Sequence, residues 1–353
     1  MISSCRNAFL SWFIVGLSLI ALVSCASDFE PLPSILESNE ESPAPELTLA
    51  FSASPFDTSS APSYYASDVN YGSLSSQVFD LWIPKSQFDA KTPTSLVVFI
   101  HGGGFTSGDK TDIWSGSATM QATIRNLLNN GIAFATINYP LLAASGETEG
   151  AIKSLRSSRR AVQFFRYYAN SLNLSKKIVL MGSSAGASTS LWIGLSNDMA
   201  NASSTDPVER QSTRVSAIVA TETQATLDLV RWESIFSTYS FSLSSISSTA
   251  TRFYGASSFA EITNSTYTTY RDGVDMLDLM DSGDPELWVN NDNVPEVAPS
   301  TSSILFHHPY HAKALKDRAA TVGLNGQFYI SNLGISDPAN ETMTSFLVRK
   351  AAP

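Results

Sequence analysis

Short apolar runs alternate with amphipathic segments between residues 95 and 222, and this alternation restricts the fold more than any other feature of the sequence. The runs 95–100 (SLVVFI) and 132–139 (IAFATINY) are typical of strands buried on both faces. The segment 154–174 places apolar residues at helical spacing and arginines on its other face. Strands that alternate with helices connect in parallel, so we predict an α/β protein with a mostly parallel sheet and helices on both faces.

Composition limits the class of protein further. The chain has 353 residues, 43% of them hydrophobic, which is enough for one large domain with a sizeable core. Its formal net charge of -10 argues against binding nucleic acid, because phosphate neutralisation requires clustered lysine and arginine. The two cysteines, Cys5 and Cys25, both precede residue 26, so the rest of the sequence contains neither a disulfide framework nor a thiolate metal site.

The first 63 residues read as targeting and linker sequence. An apolar stretch ends in Leu22-Val23-Ser24-Cys25, which resembles the lipobox of bacterial lipoproteins. This resemblance implies a lipoprotein signal peptide over 1–25, a lipid on Cys25, and an extracytoplasmic protein attached to a membrane of the bacterial cell envelope, at the outer membrane or the cell surface. An ordinary secretory signal or an uncleaved anchor is the alternative. Residues 26–63 are rich in proline, serine and glutamate and predict a disordered tether, followed by a folded domain over 64–353.

The sequence GSSAG at 182–186 has the form G-x-S-x-G and lies between a predicted strand and a predicted helix. A sharp strand-to-helix turn exposes the central serine, Ser184, at the carboxyl edge of the sheet. Glycines on either side allow neighbouring backbone to approach without a Cβ clash. This context predicts that Ser184 is a nucleophile.

The sequence HGGGF at 101–105 follows another buried strand. A glycine run exposes backbone amides, and the tetrahedral oxyanion of ester hydrolysis requires such preorganised N–H donors. We predict an oxyanion hole made by the amides of Gly103, Gly104 and Ala185.

With HGGGF at 101–105, INYP at 137–140 and GSSAG at 182–186, residues 77–329 resemble the esterase/lipase branch of the α/β-hydrolase family, a carboxylesterase-like group. The resemblance implies an α/β-hydrolase fold, Ser184 as nucleophile, and His101 as a residue that shapes the oxyanion loop. It also implies a cap over the substrate at about 223–285. The aromatic residues of this insert either line an acyl pocket or form the core of the cap: Trp232, Phe236, Tyr239, Phe253 and Tyr254.

A serine nucleophile needs a general base, and the family places a histidine after its last strand. This sequence has no histidine after residue 311. The candidates lie together in the segment HHPYH, and we favour His308 over His311, with His307 third. His308 precedes Pro309 at a predicted helix start, and His311 continues the apolar stripe of that helix. A metal site formed by His307 and His311 is disfavoured, because no acidic motif accompanies them.

The carboxylate partner of the base has three candidates. Asp292, just after the predicted strand in PELWVNN, matches the position usual in the family. Asp337 and Glu222 are the alternatives, each near the end of another predicted strand.

These features together predict a serine hydrolase that cleaves a small-molecule or polymer-borne carboxylic ester through an acyl-enzyme, without a cofactor or metal. The sequence leaves open which ester is cleaved. The alternative is a catalytically impaired binding module of the same fold on a lipid anchor.

Overall fold

The fold is built on one mixed β-sheet, seen in a computed structural model that describes residues 44–352. Within this range nine strands form the sheet. They are β1 (Ser63–Asn70), β2 (Val78–Pro84), β3 (Thr94–Ile100), β4 (Ala133–Ile137), β5 (Leu174–Ser183), β6 (Ala217–Thr221), β7 (Glu286–Asn290), β8 (Gly326–Ile330) and β9 (Ile335–Ser336).

The strand order is β1-β2-β4-β3-β5-β6-β7-β8-β9. The pairs from β4 through β8 are parallel, whereas β1, β2 and β9 pair antiparallel at the two edges. The predicted mostly parallel sheet is confirmed. Because parallel strands end at the same edge, the loops after β3, β5, β6 and β7 meet there.

Helices connect the strands. The α-helices in residues 44–352 are α1 (Lys85–Asp89), α2 (Ala118–Asn129), α3 (Ile152–Tyr167), α4 (Ala185–Leu195), α5 (Trp232–Ile235), α6 (Ser247–Tyr254), α7 (Phe259–Ile262), α8 (Ser265–Asp272), α9 (Met276–Leu279), α10 (Ser302–His307), α11 (Pro309–Val322) and α12 (Met343–Ala351). Short 3₁₀ helices cover Leu229–Arg231, Ser237–Tyr239, Leu243–Ile246 and Ser331–Leu333.

The sheet separates two hydrophobic layers, as the side-chain alternation of β3 illustrates. Leu96 and Val98 face a core that contains residues of α3, α4 and α11. Val97 and Phe99 face a second core that contains residues of α2 and α12. Every residue of β3 is buried, which explains why its sequence is continuously apolar from Leu96 to Ile100 instead of alternating.

The tether predicted over residues 26–63 extends too far toward the carboxyl end. Residues 44–62 lie against the folded domain, where the ring of Phe56 packs on Trp82 with 5.5 Å between centroids. Trp82 Nε1 also donates a hydrogen bond to Ser54 Oγ at 3.0 Å. A few apolar residues among the prolines and serines are enough to bury this segment. The predictions for the signal peptide, Cys25 and the rest of the tether fall on residues 1–43, outside the described range.

Helices long and apolar enough to cross a membrane are not found within residues 44–352.

The insert between β6 and β7 corresponds to the predicted cap and contains α5 to α9. Its α6 contacts the loop after β3 through an edge-on pair of Phe253 and Phe105, with 5.8 Å between ring centroids. Trp192 of α4 donates a hydrogen bond from Nε1 to the Gly273 carbonyl at 2.8 Å. The insert is therefore packed on the carboxyl edge of the sheet, next to the ends of β3 and β5.

Candidate active site

Ser184 occupies a strained turn between β5 and α4. Its φ and ψ are 52° and -121°, which a residue with a side chain rarely adopts. The Ser184 N–H donates to the Thr221 carbonyl at the end of β6, at 2.9 Å. This geometry is that of the strand-turn-helix elbow of α/β-hydrolases, and it directs the hydroxyl away from the sheet.

The glycines beside Ser184 are required by close backbone contacts. A Cβ on Gly182 would lie 2.3 Å from the carbonyl carbon of Gly186. A Cβ on Gly186 would lie 1.9 Å from the Ile100 carbonyl oxygen at the end of β3. The turn can therefore close against β3 only because both positions lack a side chain.

His307 is the histidine that reaches the nucleophile. Its Nε2 lies 2.9 Å from Ser184 Oγ, within hydrogen-bond distance. His307 is the last residue of α10, a short helix between β7 and α11. This finding corrects the order in which we ranked the candidate bases, where His307 was third.

The two histidines that we favoured use both ring nitrogens elsewhere. His308 Nδ1 accepts a hydrogen bond from the Tyr310 N–H and caps α11, and its Nε2 lies 3.0 Å from the Val297 carbonyl. His311 Nδ1 accepts from the Ala225 N–H, and its Nε2 lies 3.0 Å from the Leu305 carbonyl. Both side chains are buried, so His308 and His311 hold the surrounding loops and do not contact Ser184.

The sequence around His307 contains a signal for its position at the end of a helix. Thr301 caps α10, accepting a hydrogen bond from the Ile304 N–H on its Oγ1 at 3.2 Å. A proline disfavours helical backbone at the residue before it. Because His308 precedes Pro309, a helix that begins after Thr301 is expected to end before His308. His307 is then the last helical residue, with its position set by the cap at Thr301 and by Pro309.

A backbone carbonyl takes the place of the expected carboxylate. Nε2 of His307 faces Ser184, so Nδ1 is the nitrogen that is left for the hydrogen bond with the Ser303 carbonyl one turn earlier. Burial lowers the pKa of His307, and the bond with Ser303 opposes this shift only in part. A lowered pKa keeps the imidazole neutral at neutral pH, the form that can accept a proton.

None of the three carboxylates that we considered meets the base. Asp292 accepts hydrogen bonds from the Ser331 N–H and hydroxyl. Glu222 is buried and accepts from the amides of Asp292 and Asn293, which fixes the loop after β7. Asp337 accepts from a nearby amide in its own turn. Among the described residues, no carboxylate makes a hydrogen bond or an ion pair with His307, which corrects the assignment of Asp292 as the acid.

Two of the three predicted oxyanion donors lie at the cavity beside Ser184. Gly104 and Ala185 line it, and in the described part of the chain neither amide donates a hydrogen bond to a protein group. Gly103 is absent from this lining. Its carbonyl accepts from the amides of Thr106 and Ser107, which shapes the loop, and in the described part of the chain the Gly103 amide likewise donates to no backbone carbonyl.

His101 supports the same loop. Its ring stacks on Tyr139 with 4.2 Å between centroids, and its Nδ1 lies 2.7 Å from the Gly102 carbonyl. The Tyr139 hydroxyl donates to the His101 carbonyl at 2.8 Å. His101 is 1% exposed and fixes the backbone before Gly104, the role that the family resemblance implied.

The cavity at Ser184 is small and largely apolar. It has a volume of about 50 Å³. The cap insert supplies much of its wall. The residues that line it are Gly104, Phe105, Ser184, Ala185, Gln224, Leu227, Leu229, Trp232, Thr249, Phe253 and Phe306.

The aromatic residues of the insert divide between the two roles that we considered. Trp232 and Phe253 line the cavity. All four of Trp232, Phe236, Phe253 and Tyr254 belong to the hydrophobic core, but Phe236 and Tyr254 do not line the cavity, and Tyr239 stacks on Tyr310 outside it.

Clusters of three or more residues suited to hold a metal ion are not found in residues 44–352. The disfavoured pair His307 and His311 faces different partners, as described above.

The sheet order, the elbow at Ser184 and the cavity under the insert define the protein as an α/β-hydrolase. The sequence matches the model of the BD-FAE family over residues 79–269, more than half of the chain. The chain therefore belongs to the BD-FAE family, an α/β-hydrolase esterase family, and is a carboxylic ester hydrolase. The alternative of a catalytically impaired binding module is not supported.

Solved structures resemble the fold. A truncated carbohydrate esterase from gut microbiota aligns with a TM-score of 0.59 at 18% identity, over 84% of this chain and 99% of that one. A bifunctional GH43-CE protein of Bacteroides eggerthii aligns with a TM-score of 0.55 at 20% identity, over 81% of this chain and 38% of that one. Esterase 2 of Thermogutta terrifontis, phosphoramylated by tabun, aligns with a TM-score of 0.51 at 17% identity, over 85% of this chain and 98% of that one. A search of curated proteins finds no match.

Proposed function

We propose that this esterase hydrolyses short-chain acyl esters, acetyl esters above all, with Ser184 as nucleophile and His307 as general base. The observation that carries the proposal is the 2.9 Å distance between Ser184 Oγ and His307 Nε2 beside a cavity of about 50 Å³.

The proposed reaction has two halves. Ser184 Oγ attacks the ester carbonyl carbon while its proton passes to His307 Nε2, and the amides of Gly104 and Ala185 donate to the oxyanion. The C–O bond to the alcohol then breaks, and His307 returns the proton to the alcohol oxygen. In the second half, His307 takes a proton from water, which attacks the acyl carbon. The Ser184–acyl bond breaks, and Oγ recovers its proton from His307.

The size and lining of the cavity support a short acyl group. The volume of about 50 Å³ exceeds the roughly 10–15 Å³ that a water molecule needs. It is well below the ~300–1,000 Å³ of pockets that bury drug-sized ligands. Phe105, Trp232 and Phe253 are part of its wall, so we expect it to accept an acetyl group, whereas a bulky aromatic acid would need the insert to move.

A carbohydrate as the alcohol part of the ester is a further element of the proposal. Two of the similar structures are described as a carbohydrate esterase and a bifunctional GH43-CE protein, and this similarity motivates the choice.

The test compares p-nitrophenyl acetate, butyrate and octanoate, together with an acetylated oligosaccharide and tributyrin. We expect kcat/KM to fall at least tenfold from acetate to octanoate, and acetate to be released from the oligosaccharide. Ser184→Ala should abolish both activities. Equal rates on octanoate and acetate would contradict the proposal that the cavity accepts only a short acyl group. A preference for tributyrin over the oligosaccharide would indicate a lipid, not a carbohydrate, as the alcohol part of the ester.

We also propose that Cys25 carries a lipid and attaches the enzyme to the cell envelope, outside the cytoplasm. The support is the sequence Leu22-Val23-Ser24-Cys25 after an apolar stretch. A Cys25→Ser variant expressed in a bacterial host should leave the membrane fraction, and unchanged partitioning would reject the proposal.

A further inference from the structure

The base of this site lacks the support that a carboxylate provides. In Ser-His-Asp enzymes the carboxylate orients the imidazole and selects its tautomer. Here His307 has only the Ser303 carbonyl of its own helix at Nδ1. That contact sets the ring relative to α10, but it does not set α10 relative to Ser184.

Helix α10 is too short to be held by its own hydrogen bonds. It spans the six residues Ser302–His307, and helices of this length are marginal without tertiary contacts. The last carbonyls of any helix also lack partners inside it. In α10, side chains from the rest of the protein bind two of these carbonyls.

Gln224 binds the carbonyl next to the base. Its Nε2 donates to the Phe306 carbonyl at 2.7 Å, and its Oε1 accepts from the Ser188 hydroxyl at 2.8 Å. Gln224 is 6% exposed and lies on the segment that follows β6. Its side-chain amide therefore joins the first turn of α4 to the carboxyl end of α10.

These bonds close a circuit around the catalytic pair. The Ser188 N–H donates to the Ser184 carbonyl at 3.0 Å, as part of α4. The path then runs from Ser188 through Gln224 to Phe306, whose neighbour His307 contacts Ser184 Oγ. A circuit of buried hydrogen bonds fixes the distance between nucleophile and base, because opening it leaves polar groups unsatisfied.

His311 fixes the preceding carbonyl of the helix. Its Nε2 lies 3.0 Å from the Leu305 carbonyl, and its Nδ1 accepts from the Ala225 N–H at 3.2 Å. Burial lowers the pKa of His311 to about 3, so the ring stays neutral at working pH and keeps one donor and one acceptor. Gln224 thus binds the Phe306 carbonyl directly, and Ala225 is connected to the adjacent Leu305 carbonyl through His311.

We infer that Gln224 is a positioning residue for the proposed reaction, which holds α10, and with it His307, at hydrogen-bond distance from Ser184 in place of a carboxylate. This inference rests on the proposed roles of Ser184 and His307.

The experiment uses two substitutions of Gln224 in the full chain. Gln224→Met removes both side-chain hydrogen bonds. Gln224→Glu keeps both while the introduced carboxyl is protonated, since its O–H donates to Phe306 and its other oxygen accepts from Ser188. Ionisation removes that donor and sets a negative charge against the Phe306 carbonyl. The kcat and KM for acetate release are measured from pH 5 to pH 8 and divided by the wild-type values.

For Gln224→Met we expect kcat to fall about 100-fold at every pH with KM changed less than about threefold, the effect of roughly 1 Å of misplacement. For Gln224→Glu we expect a kcat within about threefold of wild type at pH 5, and a fall of at least about tenfold as the pH rises to 8. A ratio of Gln224→Glu kcat to wild-type kcat that does not change with pH would overturn the inference. So would a Gln224→Met variant with a kcat within about twofold of wild type. If Gln224→Met does not fold, the pH profile of kcat for Gln224→Glu still tests the positioning role of Gln224.

Gln163 provides the matched control. It is fully buried on α3, and its Nε2 donates to the carbonyls of Glu209 and Gln211 at 2.9 and 2.8 Å. Gln163→Glu should lower the melting temperature without changing the pH profile of kcat. Wild-type protein without esterase activity would refute the proposed function itself, whereas an active wild type with a flat Gln224→Glu ratio would refute only the role of Gln224.

Discussion

Gly186→Ala tests whether the elbow depends on close contact between α4 and β3. An ideal Cβ at this position lies 1.9 Å from the Ile100 carbonyl oxygen and 2.6 Å from that of His101. An ordinary contact of a Cβ atom begins at 3.4 Å, so the helix and the strand must separate by roughly 1.5 Å. Both atoms that the methyl meets belong to buried backbone, which cannot rotate away as a side chain can.

Such overpacking costs about 3 kcal/mol, at the upper end of the usual range. In a domain of this size that lowers the melting temperature by about 5 °C. The displacement also moves Ser184 relative to the amide of Gly104, and a shift of about 1 Å lowers kcat by roughly 100-fold. Thermal denaturation by circular dichroism and kcat on p-nitrophenyl acetate measure the two effects.

Gly283→Ala is the control, because its Cβ would meet only the side chain of Asp281, at 3.2 Å. That variant should match wild type in both measurements. A Gly186→Ala protein with wild-type melting temperature and kcat would refute the contact argument.

Three further predictions follow from other parts of the structure. Since burial lowers the pKa of His307 and only the neutral ring accepts a proton, kcat should rise with pH through an apparent pKa below 6.5 and be constant from pH 7 to 8; a rise above pH 7 would contradict this. Phe253→Ala should enlarge the cavity and increase the butyrate-to-acetate ratio of kcat/KM about tenfold, and an unchanged ratio would remove Phe253 from the acyl site. Within residues 44–352, Lys110→Met removes the only ammonium that pairs with the buried carboxylate of Asp80, which is 1% exposed and lies 3.0 Å from it, and leaves that carboxylate with hydrogen bonds from Tyr65 and Asp68 only. Urea denaturation should show a loss of about 3 kcal/mol in the free energy of unfolding, and a loss below about 1 kcal/mol would show that the ion pair is not needed.

The sheet and the elbow were predictable because local sequence determines them. Strands buried on both faces are predominantly apolar, and β3 and β4 have such sequences. The glycines at 182 and 186 indicate close backbone contacts. In the structure Gly182 lies against the backbone of Gly186, and Gly186 lies against the backbone of Ile100. The carboxyl-terminal helix α12, which covers one face of the sheet, has no strong signal beyond its apolar stripe and was not predicted.

The sequence could place His307 at the end of a short helix, but it could not show which histidine reaches Ser184, since that depends on where α10 lies relative to β5. His308 was favoured because it precedes Pro309, but that position uses its Nδ1 to cap α11. No sequence feature indicated a role for Gln224 at the site. Its role arises from two hydrogen bonds to residues 36 and 82 positions away along the chain, which a single sequence does not reveal.

The central claim is that His307 alone serves Ser184 as general base. The most direct measurement is kcat/KM on p-nitrophenyl acetate for His307→Ala, His308→Ala and His311→Ala, with the folded fraction of each determined by circular dichroism. We expect His307→Ala to lose about 10³-fold or more, while folded protein of the other two variants keeps activity within about 30-fold of wild type. A folded His307→Ala enzyme with activity near wild type would contradict the claim.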